Sequence, residues 1–174
     1  MAGNKIRASV VCDAGPLIHL DEAGCLDLLV DFENVLAPDV VWDEVTRHRP
    51  GALQRSDLKI TRVPTPSAAR EGLNTLAEAL ALDAGETAAL ALMQQYPAAI
   101  FLTDDAAARL VAEQLGMQVH GTIGIILRAI RRSQRTPQEV IAILERLPST
   151  STLHIRASLL ESVINRVKQE FGLD

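Results

Sequence analysis

A chain of 174 residues, 48% hydrophobic and 22% charged, has the composition of a globular protein with length for one domain and a sizeable core. Its net charge of −5 argues against nucleic-acid binding through overall positive charge, and no stretch approaches the roughly 18 apolar residues of a membrane span. Aromatic residues are only 3%, so the core must be built from Leu, Val, Ile and Ala, which suits helices packed on a parallel sheet. No signal-peptide pattern is evident, and a cytoplasmic location is the default expectation. Cys12 and Cys25 lack metal-ligand spacing and read as two buried free thiols.

In chain order, Ser9 to Cys12 reads as a strand that ends in Asp13, after which Ala14-Gly15-Pro16 opens a helix. His19, with no partner at ligand spacing, reads as a surface or half-buried residue. Cys25 to Phe32 gives an amphipathic turn or two, and Asn34 to Ala37 a strand closed by Pro38, which starts the next helix. There Glu44 shares an apolar side with Val40 and Val41, a costly place for an acid unless it is metal-bound or paired with Arg47 or His48. Arg47 to Asp57 reads as a loop, Lys59 to Val63 as a strand, and Pro64 to Ser67 as a loop within the domain. A helix over Ala68 to Leu82 follows, with Leu73, Leu76 and Leu80 on one face.

Gly85 breaks that helix, and Glu86 stands in the first turn of an Ala-rich successor, with Asp83 as its cap. The apolar run Ile100-Phe101-Leu102 then ends in Thr103-Asp104-Asp105, a strand-to-helix turn before the helix Ala106 to Leu115. Either aspartate suits the N-cap. Gly116 ends that helix, Met117 to His120 is a strand, and the helix Ile123 to Ser133 puts Arg128, Arg131, Arg132 and Arg135 on one face. Such a face is either solvated or a phosphate contact. Thr136 to Glu139 is a capping box whose helix Pro148 stops, and a second box at Ser158 to Glu161 opens the last helix. The stripe Leu160, Val163, Ile164, Val167 and Phe171 must dock on the domain or on a second subunit.

Asp13, Glu44, Glu86, Asp104 and Asp105 thus lie at strand tips or adjoining turns, and strand-helix alternation gathers such tips at one sheet edge. Carboxylates crowded in one cleft raise each other's pKa unless a cation neutralises them, and oxygen-only ligands favour Mg²⁺ or Mn²⁺ over Zn²⁺. No Walker-type phosphate loop is present, which leaves phosphodiester hydrolysis as the fitting chemistry. In that scheme Asp13 and Asp104 or Asp105 hold the metal, Glu44 and Glu86 bind it directly or through water, and Thr103 orients a water or a phosphate oxygen.

Val10-Val11-Cys12-Asp13, Glu44 on its helix, Gly85-Glu86 and Leu102-Thr103-Asp104-Asp105 resemble, in order and spacing, the acidic signature of PIN domains, the fold of VapC-type toxins. Leu82 to Glu86, Asp104-Asp105 with Ala108-Arg109, and Gly121-Thr122-Ile123-Gly124 are similar to one bacterial and archaeal PIN subfamily. The resemblance implies a three-layer α/β/α fold over residues 1–174, with a mostly parallel sheet, the acidic core at about 1–135 and C-terminal helices at about 136–174. It further implies a Mg²⁺- or Mn²⁺-dependent endoribonuclease acting on RNA, often a homodimer and often the toxin partner of an antitoxin protein. The third acid is Glu where many PIN domains have Asp, and the helix from about Ala157 to Phe171 is an addition to many VapC-type chains.

Two rival readings remain. One is a non-catalytic PIN-like module that binds RNA or protein. The other, a phosphoacceptor or phosphatase-like domain, is weakened because Asp13-Ala14-Gly15 lacks the second Asp of an Asp-x-Asp motif.

Overall fold

The computed structural model describes residues 8–67 and 72–173. Five short strands, β1 (Val10–Cys12), β2 (Val35–Pro38), β3 (Ile60–Val63), β4 (Ile100–Leu102) and β5 (Gln118–His120), form one sheet in the order β3-β2-β1-β4-β5 with every pairing parallel. Strand alternation divides the core into two layers. Val10, Cys12, Val35, Ala37 and Leu102 face one apolar cluster, whereas Val11, Leu36 and Phe101 face the other.

The first layer holds α1 (Ala14–Glu22), α2 (Asp39–His48), α6 (Thr122–Arg131), α7 (Pro137–Thr150) and α8 (Ala157–Phe171), with a 3₁₀ segment at Leu26–Asp31. The second holds α3 (Leu73–Ala79), α4 (Ala84–Met93) and α5 (Ala106–Gln114). Five residues of α4, from Ala89 to Met93, are all buried, which is why its sequence is apolar on every side. Each fully buried leucine, such as Leu17, Leu20, Leu90 and Leu92, contributes about 1.5–3 kcal/mol over its exposed state. The sequence reading of a three-layer α/β/α fold therefore holds, with a sheet that is parallel throughout.

Several local expectations change. Pro148 lies inside α7, because its fixed φ is compatible with a helical last turn, and the helix runs on to Thr150. The expected capping box at Ser158 does not form. Helix α8 begins at Ala157 after the extended Arg156, so Ser158 is already helical, and its carbonyl accepts from Ser162 Oγ. Helix α3 starts only after Gly72, whose φ of 100° suits glycine, and Leu80 closes it as an exposed cap. Residues 68–71, the start of the expected helix, lie outside the described residues. The stripe of α8 docks on the core through buried Leu160 and Val167 and half-buried Val163 and Ile164, leaving Phe171 exposed. No helix among the described residues is long and apolar enough to cross a membrane.

Candidate functional site

In the order β3-β2-β1-β4-β5, the chain leaves β1 toward one side of the sheet, and β4 lies on the other. The carboxyl ends of β1 and β4 therefore flank the point where open parallel sheets bind ligands. Asp13 follows β1 and caps α1, with Oδ1 accepting from Ala14 N at 2.7 Å. Its Oδ2 accepts from Thr103 Oγ1 at 3.1 Å, and that fully buried hydroxyl accepts in turn from Asp105 N at 3.2 Å. Burial, reinforced by the charges of Glu86 and Asp83, pushes the Asp13 carboxyl up to about 7 against the hydrogen bonds from Ala14 and Thr103.

The adjacent aspartates do different work. Asp105 is the N-cap of α5, with Oδ1 accepting from Ala108 N at 2.8 Å. Asp104 turns the other way: Oδ1 accepts from Thr122 N at 2.7 Å, and Oδ2 accepts from Thr122 Oγ1 at 2.6 Å and His19 Nδ1 at 2.8 Å. Burial would raise the Asp104 pKa, but the hydrogen bonds from His19 and Thr122 outweigh it and hold the group below its usual range. Asp104 is thus a carboxylate, and His19 Nδ1 carries the proton between them.

Glu86 arrives on α4 through a capping box: Asp83 Oδ1 accepts from Glu86 N at 2.8 Å, and Glu86 Oε2 accepts from Asp83 N at 2.9 Å. Burial, together with the charges of Asp83, Asp105 and Glu44, raises its pKa. Glu44 comes from α2, and a Cβ at Gly85 would stand 3.3 Å from both Glu44 Oε2 and Asp83 Oδ1, so the glycine makes room for this approach. Glu44 makes no ion pair with Arg47 or His48. Asp13, Glu44, Asp83, Glu86, Asp104 and Asp105 line one cleft of about 370 Å³, with His19, Thr152 and His154 on its wall. Among the described residues, no three acid, histidine or cysteine side chains converge on one metal-binding point. The donor set nonetheless suits a hard divalent cation, because it is made of carboxylate oxygens and, besides burial, neighbouring acids push two of its carboxyls, Asp13 and Glu86, upward.

A family model described as a PIN domain matches residues 9–169. The chain belongs to the PIN-domain family. That places it in a nuclease-type fold in general terms. Comparisons with the curated proteins and with the solved structures give no match.

In this PIN domain α6 ends at Arg131, so Arg128 and Arg131 lie on the helix, Arg132 caps it and Arg135 follows it, and all four stand apart from the cleft lining. Arg128 and Arg132 both bind Asp31, Arg135 binds Asp27 at 2.7 Å, and Arg128 also lies over the Phe32 ring, 4.2 Å from its centroid. Burial would raise the Asp31 pKa, but the hydrogen bonds from Arg128 and Arg132 hold it low. Arg131 alone of the four is exposed and without an ion pair among the described residues. Thr103 faces Asp13 from inside the fold and does not line the cleft.

His19 is half-buried, as expected, but neither it nor Thr122 was given a part in the site, and His154 was not singled out. The signal for His19 was Gly15, four residues earlier on the same face of α1, where a Cβ would approach His19 Cε1 to 3.6 Å and Asp104 Oδ2 to 3.9 Å. For Thr122 it was Gly121, where a Cβ would come within 2.7 Å of Asp104 Oδ1. His154 had no local signal, since only the return of the chain after α7 brings it to the cleft.

Proposed function

We propose that this PIN domain is a Mg²⁺- or Mn²⁺-dependent endoribonuclease that hydrolyses phosphodiester bonds in RNA. The observation that carries the reading is the gathering of carboxylates from four separate segments, after β1, on α2, at the start of α4 and after β4, in one cleft at the sheet's switch point. Asp13, Glu44, Glu86 and Asp105 would hold the cation directly or through water. Asp105 is preferred to Asp104 because its Oδ2 accepts no hydrogen bond among the described residues, whereas both Asp104 oxygens are occupied by His19 and Thr122. When bound, the cation supplies polarisation of the phosphodiester and lowers the pKa of an attacking water. Thr103 fixes the Asp13 carboxylate, and Asp104 locks the β4 turn onto α1 and α6 so that the neighbouring Asp105 is held in place.

The test is thermal unfolding with and without Mg²⁺ or Mn²⁺, alongside cleavage of single-stranded RNA. Both ions should raise the melting temperature, and Asp13→Asn should abolish that rise together with cleavage. An unchanged melting curve with metal would sink the reading. RNA binding without metal and without cleavage would favour the non-catalytic module.

Association, as a homodimer or with an antitoxin protein, is proposed on a separate feature. Leu127, Ile130, Val163, Val167 and Phe171 line an apolar groove between α6 and α8, rimmed by Arg131, Arg166 and Glu170. Sedimentation of the chain alone, and of the chain co-expressed with the product of a neighbouring reading frame, distinguishes these associations from a monomer.

A further inference from the structure

The segment joining α7 to α8 contributes Thr152, Leu153 and His154 to the wall of the acidic cleft. Its backbone is extended at both ends, at Ser151 and at Arg156, so alternate side chains face opposite ways. Leu153 and Ile155 pack against the core, whereas Thr152, His154 and Arg156 are exposed. The segment is pinned to the end of α1 by Glu22. Its Oε2 accepts from Thr152 N at 2.7 Å, from Thr152 Oγ1 at 2.9 Å and from Ser151 Oγ at 3.0 Å.

A cleft rich in carboxylates repels the polyanion it is to cut, so donors must stand beside it to hold the strand. Of the four arginines in and just after α6, Arg128, Arg132 and Arg135 are neutralised by Asp31 and Asp27. Arg156 and His154, by contrast, have no ion pair or side-chain hydrogen bond among the described residues. They stand two residues apart on one side of an extended segment, a separation of roughly 6.6 Å by strand rise and of the order of one nucleotide step.

We propose that the Ser151–Arg156 connection is a strand-holding rail for the cleft, in which His154 and Arg156 contact phosphates flanking the scissile bond of single-stranded RNA. Glu22 is the positioning residue that keeps the rail against α1. The inference rests on the nuclease reading and deepens it, by assigning the connection between α7 and α8 a part in substrate binding.

The experiment uses the full chain, a short fluorescent single-stranded RNA of mixed sequence, and the variants His154→Ala, Arg156→Ala, Arg156→Lys and Glu22→Ala. Both His154 and Arg156 are exposed, and matched melting curves verify that their variants keep the fold. KM should rise about tenfold in His154→Ala and Arg156→Ala, with kcat falling less than about threefold, because lost ground-state binding appears in KM. The log-log salt dependence of binding should become shallower by about 0.7 in Arg156→Ala, and Arg156→Lys should restore it. Glu22→Ala should raise KM in the same direction. Cleavage with KM and salt slope unchanged in all variants overturns the rail and leaves the nuclease reading standing. Binding without cleavage by the unaltered chain, weakened in the His154 and Arg156 variants, supports the rail and overturns the nuclease reading. Neither binding nor cleavage by the unaltered chain overturns both.

Discussion

His19 Nδ1 donates to Asp104 Oδ2 across 2.8 Å, joining α1 to the turn after β4, 85 residues further along the chain. The same carboxylate takes both donors of Thr122, so three elements meet on one group. Replacing His19 by Phe, or Thr122 by Val, should each lower the unfolding free energy by about 1–3 kcal/mol by leaving a buried acceptor short of a donor. The two losses should combine non-additively in the double variant, since both act on Asp104. Urea unfolding measures this, and strictly additive losses would show that the two contacts are independent.

Asp13 makes stability depend on pH. Its folded pKa, pushed up to about 7, exceeds the unfolded value of about 3.9, so the folded state binds more protons between them. The stability that its protonation contributes is fully present below about pH 4 and is lost as pH rises through about 7. Relative to the unaltered protein, metal-free Asp13→Asn should gain about 2–4 kcal/mol across that window. Chemical unfolding at a series of pH values tests it, and parallel curves for the two proteins would contradict the assignment.

Two glycines set the positions of acids that they do not touch chemically. A Cβ at Gly121 would stand 2.7 Å from Asp104 Oδ1 and 3.3 Å from the Thr103 carbonyl, so Gly121→Ala should displace the carboxylate and cost about 1–3 kcal/mol. At Gly85 the contacts are 3.3 Å, to side-chain oxygens, and Ala favours a helix by roughly 0.8–1 kcal/mol over Gly. Gly85→Ala should therefore change stability little while lowering metal affinity through Glu44. Calorimetric Mn²⁺ titration alongside melting separates the two effects.

Asp31 holds two guanidinium groups, those of Arg128 and Arg132. Asp31→Ala leaves both without their carboxylate, and should destabilise the fold by about 1.5–3 kcal/mol. If Arg128 and Arg132 are structural, Arg132→Gln should change RNA affinity less than Arg156→Ala does. Anisotropy with the same labelled RNA decides between the two faces.

The sequence by itself determined what is local. A β-branched run ending in Asp13, the apolar run ending in Thr103-Asp104-Asp105, the cap at Asp83 and the capping box at Thr136–Glu139 are all contacts within a few residues, legible from residue type and spacing. Helices packed on a parallel sheet followed from the aromatic-poor composition and the strand-helix alternation, and the three-layer plan was implied by the resemblance; the structure bears it out by sending Val10 and Leu102 one way and Val11 and Phe101 the other. Only the tertiary structure decided which aspartate caps α5, since both suit the position and the choice turns on His19 and Thr122 reaching Asp104 from distant helices. It likewise tied Arg128 and Arg132 to Asp31, about a hundred residues away, and brought His154 to the cleft. Spacing along a helix states which side chains share a face; what that face meets is set by where the chain returns.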